Sequence, residues 1–161
     1  MGHGKGADMQ ITKATAQDIP QVAGLWHVGW HQGHADIAPA ALVATRTLPE
    51  FLTRTTAHLD QTFIARKGGV LAGFYMLSGD EVYQFYVDAA FRGQGVAAIL
   101  MASAETALAG RPAWLACSVG NDRAAAFYTK TGWKRRAAQT YSVETASGPF
   151  DVEIWRFEKN L

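Results

Sequence analysis

The stretch FYVDAAFRGQGVAAIL, residues 85–100, limits what this chain can fold into more than any other segment. A run of aromatic and β-branched residues stops at Asp88. A loop carrying Arg92, Gly93 and Gly95 follows, and a run rich in Ala, Ile and Leu then starts with strong helix propensity. Strand, glycine loop and helix together let backbone approach a ligand closely and present unpaired N–H groups with a partial positive charge. Such a unit can cradle a phosphate, and Arg92 would add a charged contact. A strand-to-helix turn without any ligand is the plain alternative. The nucleotide P-loop needs a Gly-Lys-Ser/Thr ending, which is absent. The dinucleotide fingerprint fits poorly: Ala98 takes the third glycine position, the loop lies deep in the chain, and Glu105 comes too early.

Around this unit the period of the apolar residues changes several times. Residues 1–8, MGHGKGAD, are glycine-rich and polar and read as a flexible leader. MQITK reads as a first strand. Ile19, Val22, Ala23, Trp26 and Trp30 recur at helical spacing towards an end near Gly33. Pro39 and Pro49 each open a further helix from its first turn. QTFIARK and VLAGFYMLS flank a Gly68-Gly69 turn as a hairpin, and EVYQFYV is the next strand. After the helix from Val96 to Gly110 come the strand AWLACSV, a helix capped by Asn121 or Asp122, and two strands around Gly148-Pro149. Residues 9–161 thus read as one mixed α/β domain.

With 48% apolar and 18% charged residues, the 161-residue chain can bury a core without help from disulfides or metals. A formal charge of +1 predicts no strong attraction to nucleic acid or acidic membranes. The single cysteine, Cys117, excludes an intrachain disulfide. No apolar run approaches the roughly 20 residues of a membrane span. A cytoplasmic protein is the resulting expectation.

Two blocks carry a family resemblance. Arg92-x-x-Gly95-x-Ala97 resembles the [QR]-x-x-G-x-[GA] acyl-CoA loop of the GNAT superfamily of N-acetyltransferases. Asn121 to Trp133, NDRAAAFYTKTGW, resembles that family's N-x-x-A-x-x-F-Y-x-K-x-G-F segment, with Trp133 in place of Phe. The blocks stand in the family's order. The resemblance implies a mixed, mostly antiparallel sheet of about seven strands flanked by about four helices. It implies acetyl-CoA as cosubstrate and a primary amine of a small or amino-acid-like molecule as acceptor. The amine would attack directly in a ternary complex, with no metal. Strand edges in this architecture can pair two copies into a homodimer.

Roles follow by position. The resemblance places the pantetheine arm in a gap beside Phe85, Tyr86 and Val87, with the Val87 N–H polarising the acetyl carbonyl. Arg92, Gly93, Gln94, Gly95, Val96 and Ala97 would hold the pyrophosphate. Asn121 would bond the pantetheine, cap the following helix, or do both. Tyr128 would protonate the departing thiolate, against a plain core tyrosine. Glu81, matching the start of the family's E-L-x-x-L-Y-V strand, is the candidate general base, against a solvated strand-end acid. Strict alternation puts Glu81, Tyr83, Phe85 and Val87 on one face, unless a bulge changes the register.

The acceptor side is expected from the first helices, where Trp26, His27, Trp30, His31, His34 and Asp36 crowd together. Trp30 and His34 are the candidate acceptor-binding residues. His27, His31 and His34 share a helix face, but a metal site there lacks the usual spacing. Arg46 is expected to be solvated rather than paired with an acceptor carboxylate. Cys117 is expected to be structural, since no neighbouring base would activate it. Two other classes compete with the enzyme: a non-catalytic acyl-CoA sensor, and a metal-dependent hydrolase built on the histidine face.

Overall fold

The computed structural model describes residues 9–161, so the leader expected at residues 1–8 lies outside the described residues. Seven strands form one sheet in the order β1-β2-β3-β4-β5-β7-β6. They are β1 (Met9–Lys13), β2 (Thr62–Lys67), β3 (Val70–Ser78), β4 (Glu81–Val87), β5 (Pro112–Ser118), β6 (Lys134–Thr145) and β7 (Gly148–Asn160). Every neighbouring pair is antiparallel except β4 and β5. Helices α1 (Ile19–His34), α2 (Ala40–Thr45), α3 (Leu48–Ala57), α4 (Val96–Ala107) and α5 (Asp122–Lys130) complete the mixed α/β fold. The count is five rather than about four because Pro39 and Pro49 split residues 39–57 into two helices.

The sheet separates two cores. On one face α4 and α5 pack Leu100, Met101, Ala104 and Tyr128 against Tyr75, Val82, Leu115 and Phe157. On the other, α1, α2 and α3 pack Trp26, Trp30, Leu42 and Phe51 against Ile64, Phe74 and Met76. Large side chains such as Trp26, Phe51, Phe74, Leu100 and Phe157 are wholly buried. Each such burial contributes about 1.5–3 kcal/mol, which holds the sheet between its two helical layers.

Helix α1 runs through Gly33 to His34 instead of ending at Gly33. The glycines in this helix serve close approach. A Cβ on Gly29 would lie 2.7 Å from Cδ1 of Tyr86, and one on Gly33 would lie 3.2 Å from Nδ2 of Asn121. Gly73 plays the same part on β3, where a Cβ would meet the Tyr86 carbonyl at 2.7 Å. Glycine at these sites lets α1 and β3 close on β4 from two sides and lets the end of α1 approach the start of α5.

Strand β4 contains the bulge that breaks strict alternation. Met76 pairs with Gln84 and Leu77 with Val82, leaving Tyr83 as the extra residue. Val82, Phe85 and Val87 consequently join the α4–α5 core, while Tyr83 and Tyr86 join the α1–α3 core. Tyr83 therefore does not share a face with Phe85 and Val87. The bulge gives the central strand a different set of side chains for each layer.

Candidate active site

Strands β4 and β5 run parallel but are paired at one position only, Glu81 with Trp114, supported by the Trp114 N–H donating to the Asp80 carbonyl at 3.1 Å. Beyond that rung the strands part, and the sheet opens between Val82–Val87 and Leu115–Ser118. On the closed side of β4, the Asp88 N–H donates to the Ala72 carbonyl at 2.8 Å, and Tyr86 faces Phe74 in the ladder. Antiparallel alternation then turns the Phe85 and Val87 amides away from β3 and into the opening. Tyr86 instead sends its ring under Gly29 of α1 and stacks on Phe74, centroids 5.7 Å apart. Of the three consecutive residues singled out from the sequence, two offer backbone to the opening and one offers a side chain to the other layer.

The glycine loop lies where β4 runs out. Gly93 (φ 78°) and Gly95 (φ 80°) both adopt left-handed backbone, and a Cβ on either would meet nothing within 4 Å. Their glycines are required by conformation, and the space in front of them is open. Gly95 caps α4, so the first-turn amides of Val96 and Ala97 have no acceptor within the helix. Arg92, Gly93, Gln94 and Gly95 are exposed, Ala97 is half-buried and Val96 is buried. Gln94 is anchored by its Nε2, which donates to the Ala90 carbonyl at 3.3 Å, and by Lys67 Nζ, which donates to its Oε1 at 2.9 Å. The loop thus presents free N–H donors and Arg92 to solvent, the chemistry a pyrophosphate needs.

Helix α5, which follows β5, carries Asn121 at its start and Tyr128, whose hydroxyl is within electrostatic reach of Cys117 on β5 and Tyr86 on β4. Asn121 Oδ1 accepts from the Ala124 N–H at 3.4 Å and so caps the helix, while Nδ2 faces Gly33 of α1. Tyr128 is nearly buried, stacks obliquely on Phe157 at 5.5 Å, and its hydroxyl makes no hydrogen bond to another described residue. Burial raises its hydroxyl above the usual tyrosine range, and Cys117 and Tyr86 add to the effect. The phenol therefore stays protonated and free to donate. Cys117, on the neighbouring strand, is pushed up to about 12 by burial and then by Asp122, so its thiol is not a ready nucleophile.

Glu81 stands at the rung itself, only 6% exposed. It is not a solvated strand-end acid. Its carboxyl is pushed up to about 7 by burial, against the pull of a 3.0 Å hydrogen bond from the Tyr141 hydroxyl and the charge of Arg156. Tyr141 arrives from β6, 60 positions away, which no local pattern could signal.

The histidines of α1 fold into local contacts. His34 Nδ1 lies 2.8 Å from the Trp30 carbonyl, and its ring stacks on Trp30 at 4.8 Å. Burial holds His34 and His27 below the usual histidine range. His31 Nε2 lies 2.7 Å from the Arg46 carbonyl. Among the described residues no group of three His, Cys, Asp or Glu is arranged to hold a metal, and no helix is long and apolar enough to cross a membrane.

Arg46 departs from the expectation of a solvated side chain. It is 2% exposed and donates through Nη1 to Glu50 Oε1 at 2.6 Å and to the Glu144 carbonyl at 2.7 Å. The short α2 helix ends at Thr45 and turns Arg46 inward, beneath the β6–β7 hairpin. Nearby Arg54, from α3, lies 4.2 Å over the Trp26 ring and donates through Nη2 to the Tyr83 hydroxyl at 3.1 Å. Sequence reasoning did not single out Arg54 or Glu144; the Arg46-x-x-x-Glu50-x-x-x-Arg54 spacing was the available signal.

Comparison with known proteins matches this architecture. The sequence profile of the acetyltransferase (GNAT) family matches residues 28–133, covering the end of α1, helices α2 and α3, strands β2 to β5, the glycine loop and α5. No protein of curated function matches the chain. Among solved structures, a GCN5-related N-acetyltransferase from Rhodopseudomonas palustris superposes with a TM-score of 0.73 at 22% identity, over 99% of this chain and 100% of that one. The PaiA N-acetyltransferase from Thermoplasma acidophilum, solved in complex with coenzyme A, gives 0.67 at 16% identity over 95% and 99%. An N-acetyltransferase from Staphylococcus aureus gives 0.66 at 15% identity over 93% and 100%. The glycine loop at the mouth of a sheet that opens after one rung, and a family profile spanning most of the chain, lead to one assignment: the chain belongs to the acetyltransferase (GNAT) family.

Proposed function

We propose that this protein transfers an acetyl group from acetyl-CoA to a primary amine of a small acceptor, by direct attack while both substrates are bound. The observation that carries this reading is the opening between β4 and β5, with the amides of Phe85 and Val87 turned into it and the glycine loop at its end. Arg92 and the amides of Gly93, Gly95, Val96 and Ala97 would hold the pyrophosphate, with the Gln94 N–H committed to the Phe91 carbonyl. The Phe85 and Val87 backbone and the Asn121 Nδ2 would hold the pantetheine arm. Acetyl-CoA supplies an activated acyl carbon and a thiolate leaving group.

The chain's own groups supply the rest. A backbone N–H facing the opening would stabilise the charge that builds on the acetyl oxygen. Val87 matches that role by family position. Phe85 lies closer to the acid: four residues of strand span roughly 13 Å and six roughly 20 Å, so Phe85 is the better-placed donor if Glu81 is the base. Either spacing requires water between Glu81 and the amine. A carboxyl near 7 is poised to accept a proton from an ammonium ion at neutral pH. The protonated Tyr128 hydroxyl would return a proton to the thiolate. Trp30 and His34 would form part of the acceptor wall, Trp30 mainly by positioning the stacked His34.

Calorimetry with acetyl-CoA, followed by thiol release against a panel of amines, tests the proposal. Binding with thiol release for one class of amine supports it. Binding with no release from any amine would instead identify an acyl-CoA sensor.

A further inference from the structure

The α1–α3 layer holds two buried guanidinium groups whose hydrogen bonding is incomplete. Arg46 is 2% exposed and Arg54 is 7% exposed. Arg46 Nε, Arg54 Nε and Arg54 Nη1 are all buried without a hydrogen-bond partner. Arg54 Nε does lie 3.5 Å from Glu144 Oε1, an ion-pair distance, but that carboxylate is half exposed and already receives the Tyr83 hydroxyl at 2.6 Å. Leaving such donors bare in a core is costly, since each forgoes hydration without replacement. The two positive charges also oppose each other: burial, and then Arg54, holds Arg46 below the usual arginine range.

Position gives these groups a use. Arg54 lies against Trp26 of α1 and Tyr83 of β4 and so sits between them, while Arg46 lies 5.7 Å over Trp30, between α1 and the β6–β7 hairpin. Both charges act on the hydroxyl of Tyr86, Arg54 more strongly. Tyr86 is the residue between Phe85 and Val87. The bare donors of Arg54 thus lie beside the strand that would present the acetyl group, on its α1 face, with that of Arg46 next to them.

We propose that the acceptor is an amine that also carries a carboxylate, an amino acid or close analogue, and that Arg54 and Arg46 hold this carboxylate through their unpartnered N–H groups. The inference rests on the acetyltransferase reading above. A carboxylate brings two acceptor oxygens and one negative charge, matching a guanidinium fork in both number and sign. It completes the hydrogen bonding of Arg54 and separates two like charges. A neutral amine would leave all three donors bare.

The test compares thiol release from α- and ω-amino acids with release from their own carboxamides. The acid should win by about 10- to 100-fold in kcat/KM, the worth of charge-assisted hydrogen bonds. In Arg54→Met the preference should collapse to near unity, mainly through KM for the acid. Arg54→Lys, which keeps the charge without the fork, should give an intermediate preference and serves if the methionine variant does not fold. Unchanged acetyl-CoA binding reports folding in each variant. Equal rates for acid and amide in the unaltered protein would overturn the carboxylate site and leave the enzyme intact. If no amine releases thiol, the acetyltransferase reading fails, and thermal protection by N-acetyl amino acids against their carboxamides decides the site alone. Protection by the acid only, lost in Arg54→Met, keeps the anion site; equal or absent protection removes it.

Discussion

The two layers that enclose the sheet are built on different terms. The α4–α5 layer is apolar, and polar groups there pair with one another: Trp133 Nε1 donates to Glu105 at 3.1 Å, and Tyr75 bonds Ser103 at 2.9 Å, while the Tyr128 hydroxyl stands apart without a partner among the described residues. Among the described residues, the fully buried side-chain nitrogens and oxygens lacking a partner lie on the other side, in Trp26, Arg46, Arg54 and Thr55. Close packing resists change, so the layer beneath the glycine loop can hold a fixed backbone shape for a constant ligand. Unmet polar demand in the opposite layer suits a site completed by something the chain does not contain. The difference teaches that the α4–α5 layer is nearly complete on folding, whereas the α1–α3 layer has hydrogen bonds still to give.

Breaking the comparison at its most polar point should have the largest effect. Arg46→Met leaves the buried Glu50 carboxylate without its 2.6 Å partner, and should cost about 4 kcal/mol in chemical denaturation. Adding Glu50→Gln should recover most of that loss, because the cost is the stranded charge. A double variant as unstable as the single one would show that Arg46 matters chiefly by packing on Trp30. On the apolar side, Leu100→Ala should cost about 3 kcal/mol, and no polar second change should rescue it.

The kinetic consequences are smaller. Tyr128→Phe keeps the ring in its core and removes only the donor, so kcat should fall about 100-fold with acetyl-CoA affinity nearly intact. An unchanged kcat would return Tyr128 to a purely packing role. Glu81→Gln should flatten a rate that otherwise rises with pH through about 7. At pH 6 the unaltered enzyme should run at about a tenth of its plateau, as a single ionisation predicts. The same carboxyl sets a stability trend. Its folded value lies above the unfolded 4.5, so the native state favours its proton, and that advantage is lost as pH rises through about 7. The fall in Tm from pH 6 to 8.5 should therefore be shallower in Glu81→Gln.

Elements and loop chemistry were readable in the sequence because their signals are local. EVYQFYV gives strand β4 end to end, Gly93 and Gly95 announce left-handed backbone, and Asn121 caps α5 as expected. What could not be read depends on contacts made across long stretches of chain. Arg46 looks like an exposed residue after a short helix until the tip of the β6–β7 hairpin, about a hundred positions on, covers it. Glu81 looks like a surface acid until Tyr141 and Arg156 enclose it. The helical glycines Gly29 and Gly33 read as weak points, and only the packed fold shows what each makes room for. The Tyr83 bulge likewise reassigns alternate residues of β4 without leaving a mark in composition.

The single rung between Glu81 and Trp114 has a consequence in time as well as in space. Amides in the middle of a seven-stranded sheet ordinarily exchange their hydrogens only when the protein unfolds. Here the Phe85 and Val87 amides face an opening, while their neighbours Tyr86 and Asp88 face the ladder. Along one strand, then, fast and slow exchangers should alternate residue by residue. A ligand that threads the opening would erase the alternation, making these two hydrogens a clock for occupancy that runs without any chemistry being performed.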